Sequence, residues 1–524
     1  MTADIVGNRT LKSQWEETVR YYGENTFLKY ISVNNTVSSF TYHEFDQKVK
    51  RAANLLLDLN IRQGELVALH IHNRPEYLIC WLALAQIGAV SVPMNEHYQL
   101  EECSYIIRKC KISCLITEPC MMDTLYRDSY ESLGLKQIII TEGESKLPCI
   151  HILKDEIEKQ PETLKENRLV RTEDTAVILF TSGTTSHPKG AIYTHCNVIY
   201  GGVLHAAQIG MDTKDRFLTC MPCYHMDFQE MATAPVICTG STLIMVEHYS
   251  ARRFWRQVCE HKATFTDTMS IMNRTMMLQP VQPWEKNHCL KQIYFSMGLS
   301  DVEKEEFESR FDVRLLNSYG MTETVSAVTC VPLYGNQNWP SVGRPALSYS
   351  VKIVDEKGET LPAGTEGKIC IKGIPGRTLI AGYYKDKKST AHLLDSEGWL
   401  HSDDWGYLDE DGWLFFLGRC GNMIKRSGEN VSCTEVECAL TSHPAVYDAA
   451  VIGIPDPIRD QAVKAFVQLK RGESLTEEEV INWCKTRLAC FKVPSCVEFV
   501  ESFPRTATGK IKKTKLQHKG KSSL

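Results

Sequence analysis

Residues 180–190 read FTSGTTSHPKG and follow the apolar run AVIL at 176–179. Hydroxyl-bearing and small residues fill the loop, and one lysine, Lys189, closes it. A Walker A loop puts its lysine before Ser or Thr and opens a helix whose N-terminus holds the phosphates. Here Lys189 precedes a glycine, and the residues that follow, AIYTH, have strand character. The expected arrangement is strand–loop–strand. Such a loop holds phosphate with backbone N–H groups, hydroxyls and an ammonium rather than a helix dipole. By composition alone it is also an ordinary surface turn, so the surrounding chain has to decide.

Upstream, FTYHEFDQKVKRAANLLLDLN (40–60) has the apolar spacing of a helix. ELVALHIHN (65–73) and AVSVPM (89–94) read as strands flanking a helix at 76–87, and KISCLIT (111–117) and KQIIIT (136–141) add further β-rich runs. This alternation predicts a doubly wound α/β core. After about residue 340 the texture changes. VKIVDEKGETLPAGTEGKICIKG (351–373) and WLHSDDWGYLDEDGWLFFLGR (399–419) are strands joined by Gly/Pro and Asp-Gly turns. They predict a small β-rich subdomain at about 340–419, for which a barrel is one form. A compact α+β unit follows, with a helix near 434–441, strands at 448–454 and 463–469, and a helix opened by the capping box Thr476/Glu479. The strand SCVEFVES and a basic tail complete it. The expected domains are 1–419, large and N-terminal, and 420–524, small, mobile and C-terminal.

The 524 residues suffice for two to four domains. Fifty-nine basic and 64 acidic side chains leave a net charge of −5, which gives no basic field for nucleic acid or an anionic membrane. The 20 cysteines are far too sparse for a disulfide scaffold, and many sit in apolar runs such as YLICWLALA. They point to reduced thiols in the cytoplasm. Cys220, Cys223 and His225 lack the second close pair that a structural zinc site needs. No apolar signal segment opens the chain. The longest apolar stretch, 77–94, is broken by Gln86, Gly88 and Pro93 and reads as a buried helix running into a strand, not a membrane span. Small-molecule substrates are the expected partners, and a homo-oligomer remains open.

Three further segments carry chemistry. In NSYGMTET (317–324), Tyr319 is suited to stack on a base, Thr322 to donate to a phosphate and Glu323 to ligate Mg²⁺. In GWLHSDDWGYLDEDG, the adjacent Asp403 and Asp404 offer a carboxylate of the kind that holds ribose hydroxyls. In PRTATGKIKK (504–513), Lys510 follows a glycine in a basic tail. Taken singly, each is also a solvated turn or surface residue.

Taken together and in this order, FTSGTTSHPKG, SYGMTET, GWLHSDD, GRCGNMIKRSGEN and PRTATGK resemble five signature motifs of the adenylate-forming superfamily. That superfamily comprises acyl-CoA synthetases, amino-acid-adenylating modules and luciferases, and the resemblance spans essentially the whole chain. NMIKRSGENVSCTEVE, WPSVGRP and YSARRFWRQV are similar, more closely, to bacterial crotonobetaine/carnitine–CoA ligases.

The resemblance implies a two-step ligase using ATP, Mg²⁺ and coenzyme A, with a carboxylate activated as an acyl-adenylate and then passed to the CoA sulfur. It implies that Thr181, Ser182, Gly183, Thr184, Thr185 and Lys189 hold the β- and γ-phosphates. Tyr319 would stack on adenine, Thr322 touch the α-phosphate, Glu323 ligate Mg²⁺, and Asp404 and Arg419 hold the ribose. Lys510 would reach the reacting carboxylate from the C-terminal domain. His225 matches an aromatic gate, while Ser427, Gly428 and Glu429 would face pantetheine after rotation about a hinge at Gly421. Two departures stand out. Asp403 replaces a family glycine, which bears on the turn and not on the ribose carboxylate, and YFSMG (294–298) degrades the adenine-side pattern.

A betaine acid carries a trimethylammonium that cannot donate hydrogen bonds and needs aromatic faces or a carboxylate. PCYHMDFQEM supplies Tyr224, Asp227, Phe228 and Glu230 for this, with Asp227 as the neutralising group or, alternatively, a helix cap. Other acids as substrates and a luciferase-like oxygenase are the competing activities. No carrier segment follows to suit a carrier-charging module, and Glu323 with Lys510 argues against a non-catalytic binder.

Overall fold

A computed structural model describes residues 4–145, 147–181, 188–296, 299, 301–419, 423–504, 511, 513 and 516, leaving out the side chains at 418, 419, 423, 430, 432, 434 and 438. The flanks of the opening loop form the expected hairpin. Thr175–Thr181 and Lys189–Thr194 are antiparallel, with Phe180 opposite Gly190 and Thr181 opposite Lys189. Gly190 has to be small, because a Cβ there would stand 2.8 Å from Ile178 and 3.1 Å from Phe180.

The hairpin forms one edge of a seven-stranded sheet whose other strands run parallel, among them Leu66–His70, Val90–Pro93, Cys114–Thr117 and Gln137–Ile140. The helix Tyr42–Asp58 starts at a Thr41/Glu44 capping box. The helix Pro75–Ile87 has proline in its first turn, stops at Gly88 in the left-handed region, and is buried nearly all round. Burial on every face explains the broken apolar stretch at 77–94.

A second sheet has nine strands. Its centre is parallel: Arg216–Thr219, Thr242–Val246, Phe265–Met269, Gln292–Ser296 and Leu315–Tyr319. The β-rich stretch is an open antiparallel meander rather than a barrel, with Ser350–Val354, Gly367–Lys372, Trp399–Leu408 and Leu414–Arg419 adjacent in chain order. Asp409 makes its last turn, its carboxylate accepting from the backbone N–H groups of Asp411 and Trp413.

The C-terminal sheet contains Met423–Arg426, Glu429–Ser432, Val446–Asp456, Asp460–Leu469 and Cys496–Phe499. It packs with the helices Cys433–Thr441 and Glu477–Lys485, the latter opened by Thr476 and Glu479 as the sequence predicts. Two ion-pair groups join this unit to the preceding chain. Lys492 Nζ lies 2.8 Å from Glu102 and 2.7 Å from Glu435. Arg274 reaches Asp460 at 2.5 Å and Glu303 at 2.6 Å. The described cysteines are all free, and among the described residues no helix is long and apolar enough to cross a membrane.

Candidate active site

A cavity of about 740 Å³ opens where the carboxyl ends of the parallel strands in the nine-stranded sheet meet the hairpin, the meander and the C-terminal unit. Strand ends of an open α/β sheet are where ligand sites form, because the loops there are free to carry chemistry.

One end of the cavity carries the nucleotide candidates. The strand Leu315–Tyr319 stops at Gly320, where a Cβ would stand 2.9 Å from the Ser326 carbonyl, and a 3₁₀ turn, Thr322–Thr324, follows. The Tyr319 hydroxyl donates to Asp404 at 2.8 Å, and its ring stacks on Phe416 at 5.7 Å. Asp404 sits opposite Arg419 in the meander. Asp403 beside it has φ +58°, so the residue replacing glycine keeps a left-handed conformation. Aspartate tolerates this region better than most residues.

The buried Glu323 accepts a 2.6 Å hydrogen bond from the Tyr383 hydroxyl, and its carbonyl accepts from the Ile380 N–H. The Thr322 carbonyl accepts from the Tyr193 hydroxyl. Lys189 Nζ lies 5.2 Å over the Tyr383 ring, and the Thr181 hydroxyl donates to the Lys189 carbonyl at 3.5 Å. A buried carboxylate among hydroxyls is the oxygen-rich donor set that Mg²⁺ takes.

The other end is the acyl candidate. Tyr224, His225 and Asp227 line it; Phe228 does not. Asp227–Thr233 is a π-helix, and Phe228 is turned wholly into the core, 6.2 Å from the Tyr77 ring. The assignment of Phe228 to the pocket is therefore corrected. Met231, Met269 and Tyr294 line the cavity in its place. Asp227 is the first residue of the π-helix and not its cap, which is Met226; its carboxylate lies 3.3 Å from His225 Nδ1. Burial opposes a charge on His225, but the Asp227 carboxylate outweighs it and raises the imidazole to about 9.

The C-terminal unit closes this end. Ser427 and Gly428 both have positive φ, and a Cβ on Gly428 would stand 2.1 Å from the Met269 sulfur. Glu429 accepts a 2.9 Å hydrogen bond from the Tyr224 hydroxyl. Of the remaining candidates, Ser182, Gly183, Thr184, Thr185, Gly421 and Lys510 lie outside the described residues, as does the Arg419 side chain.

Sequence reasoning missed Tyr383, Met231, Met269 and Tyr294. Nothing near Tyr383 in the chain marks it, since its partner Glu323 is 60 residues away.

Comparison with known proteins accords with this geometry. The AMP-binding enzyme family matches residues 15–384, and the AMP-binding enzyme C-terminal domain matches 435–510. A crotonobetaine/carnitine–CoA ligase of Proteus mirabilis is 42% identical over 520 residues, covering 98% of this chain and all of the relative. One from Salmonella typhimurium is 43% identical with the same coverage. In fold, the chain matches a double mutant of o-succinylbenzoate CoA synthetase from Bacillus subtilis with TM-score 0.85 and 23% identity, covering 98% of this chain and 99% of that one. The amide bond synthetase McbA of Marinactinospora thermotolerans gives TM-score 0.85 and 24% identity over 97% and 99%. With one family match over most of its length, a second over its C-terminal unit and relatives aligned end to end, the chain belongs to the AMP-binding enzyme family.

Proposed function

We propose that this enzyme is an ATP-dependent acid–CoA ligase whose acid is a betaine: carnitine, crotonobetaine or γ-butyrobetaine. The observation that carries the reading is identity above 40% with crotonobetaine/carnitine–CoA ligases across their full length. Aromatic and acidic side chains on the acyl wall, Tyr224, Tyr294 and the His225-paired Asp227, accord with it.

In the first step an oxygen of the substrate carboxylate attacks the α-phosphorus of ATP and pyrophosphate leaves. This is a displacement governed by positioning and charge. Lys189 and Thr181, with Ser182, Gly183, Thr184 and Thr185, hold the departing phosphates. Tyr319 and Asp404, joined by their hydrogen bond, hold adenine and ribose together with Arg419. Thr322 meets the α-phosphate. Glu323, its carboxylate oriented by Tyr383, would hold Mg²⁺. The ion, when bound, neutralises phosphate charge. Lys510 supplies positive charge where negative charge develops.

In the second step the CoA sulfur attacks the acyl carbon and AMP leaves. The C-terminal domain, 420–524, rotates about Gly421 between the steps. The 427–429 loop seated on Tyr224 and Met269 supports assigning the described arrangement to this second step. His225 gates the acyl carboxylate. The free thiols support a reducing, cytoplasmic setting.

The test is ATP- and CoA-dependent AMP formation with L-carnitine, crotonobetaine, γ-butyrobetaine, butyrate, a medium-chain fatty acid and benzoate. Strong preference for the betaines is expected. Turnover of uncharged acids alone would remove the betaine assignment and leave the ligase chemistry standing.

A further inference from the structure

The acyl compartment holds more carboxyl groups than its visible partners satisfy. Asp227 shares its carboxylate with His225. Two other acids lie close behind it. Glu230 is fully buried, and neither carboxylate oxygen has a hydrogen-bond partner among the described residues. Asp267 is 3% exposed. One of its oxygens accepts from the Thr219 hydroxyl at 3.0 Å, and the other has no partner among the described residues. Burying a carboxylate in this way is costly unless something pairs with it.

The two acids differ in placement. Glu230 packs its stem against Gly201, behind the π-helix. Asp267 lies on the strand Phe265–Met269, two residues before Met269, so both side chains stand on one face of the sheet. Met269 lines the cavity. The register partner of Asp267 is Tyr294, and that of Met269 is Ser296; both partners line the cavity as well. The face carrying Asp267 is therefore the cavity face; Asp267 itself is not one of the lining residues and lies beside the lining Tyr294, one pair of residues deeper than Met269 and Ser296. An aromatic ring beside a half-satisfied carboxylate suits a quaternary ammonium, which offers charge and no hydrogen-bond donor.

We propose that Asp267, beside Tyr294 at the inner end of the acyl compartment, receives the trimethylammonium group of the substrate and sets the preference for a betaine over an uncharged acid. The inference rests on the betaine reading above. The groups facing Asp267 are Asp227 on the π-helix, Tyr294 on the neighbouring strand on one side, and Thr219 with Cys220 at the end of the neighbouring strand Arg216–Thr219 on the other. Burial first, and then the Asp227 charge, raise the Asp267 carboxyl to about 8. At pH 7 it therefore carries a proton, and an arriving cation drives that proton to solvent, leaving carboxylate and ammonium paired.

The test compares γ-butyrobetaine with its carbon isostere, 5,5-dimethylhexanoate, in the wild type and in Asp267→Asn. The ratio of kcat/KM for betaine over isostere should fall about 30-fold or more in the variant, the loss expected when a buried charge partner is removed. A wild type that uses both acids equally refutes the betaine reading itself. A wild type that prefers the betaine, with the ratio unmoved by Asp267→Asn, refutes this inference alone. Should the variant not fold, calorimetry of γ-butyrobetaine binding to the wild type, in buffers of different ionisation enthalpy at pH 7, decides. Release of close to one proton supports the assignment, and no release overturns it.

Discussion

Glu102→Gln should separate the two half-reactions. Lys492 is 1% exposed and lies 2.8 Å from Glu102, which belongs to the helix Leu100–Cys110, and 2.7 Å from Glu435 on its own side. Burial opposes the lysine's charge, but Tyr98, Glu435 and Glu102 hold it protonated. Changing Glu102 leaves the Lys492–Glu435 pair intact, so the C-terminal unit keeps its own charge balance. What is lost is one charge-assisted hydrogen bond across the junction, worth about 1.5–3 kcal/mol. The other Glu102 oxygen accepts from the Gln99 N–H at 3.0 Å. A glutamine keeps that bond only by turning an amide N–H towards the ammonium.

A loss of about 2 kcal/mol lowers the docked population about 30-fold relative to any undocked one. Arg274–Asp460 and Tyr224–Glu429 remain to hold the docked form, so the effect cannot exceed the loss of this one bond. Thioester formation from preformed acyl-adenylate, followed in a single turnover, should slow by up to that factor. ATP–pyrophosphate exchange, which reports adenylation, should not. Equal losses in the two assays, or a loss in exchange alone, would refute the reasoning that this junction serves the second step.

Three further outcomes follow from the geometry. Gly428→Ala should slow thioester formation far more than pyrophosphate exchange, because φ is +86° there and a Cβ is strained in that conformation, with the Met269 sulfur also in its way; adding Met269→Ala, which relieves only the contact, should restore a minor part of the loss. Phe228→Ala should destabilise the fold by about 3–5 kcal/mol, read by chemical denaturation, without changing which acid is preferred. For His225, the folded-state proton affinity is raised to about 9, above the ordinary value of about 6.5. The stability from its proton is therefore complete below about pH 6.5 and lost as the pH rises through 9. The Tm difference between wild type and Asp227→Asn should shrink across that window.

What the sequence made legible was local. The strand–loop–strand at 175–194 followed from Lys189 preceding a glycine and AIYTH. The cap at Thr476 followed from Glu479 three residues on. What it hid was distant or conformational. Phe228 reads as a pocket residue beside Asp227, but its direction depends on the π-helical turn, whose hydrogen bonding leaves no mark in the side chains. Glu102 and Lys492 meet across 390 residues, with no spacing rule to join them. Asp267 did leave a signal: it is an acid inside the strand FTDTM, in an element type where acids are depleted.

Tyr383 has a consequence for how the cavity waits for its ligands. Lys189 rests on its ring and Glu323 takes its hydroxyl, so a cation and an anion meet different parts of one side chain rather than each other. Opposite charges facing one cavity tend to collapse into an ion pair, and the arriving nucleotide would then have to break it. A tyrosine that engages both keeps each charge in place at the modest strength of a cation–π contact and one hydrogen bond. The site is in this sense spring-loaded by insulation: in the proposed reaction, phosphates and the metal ion they bring would meet a cation and an anion that are not spent on each other.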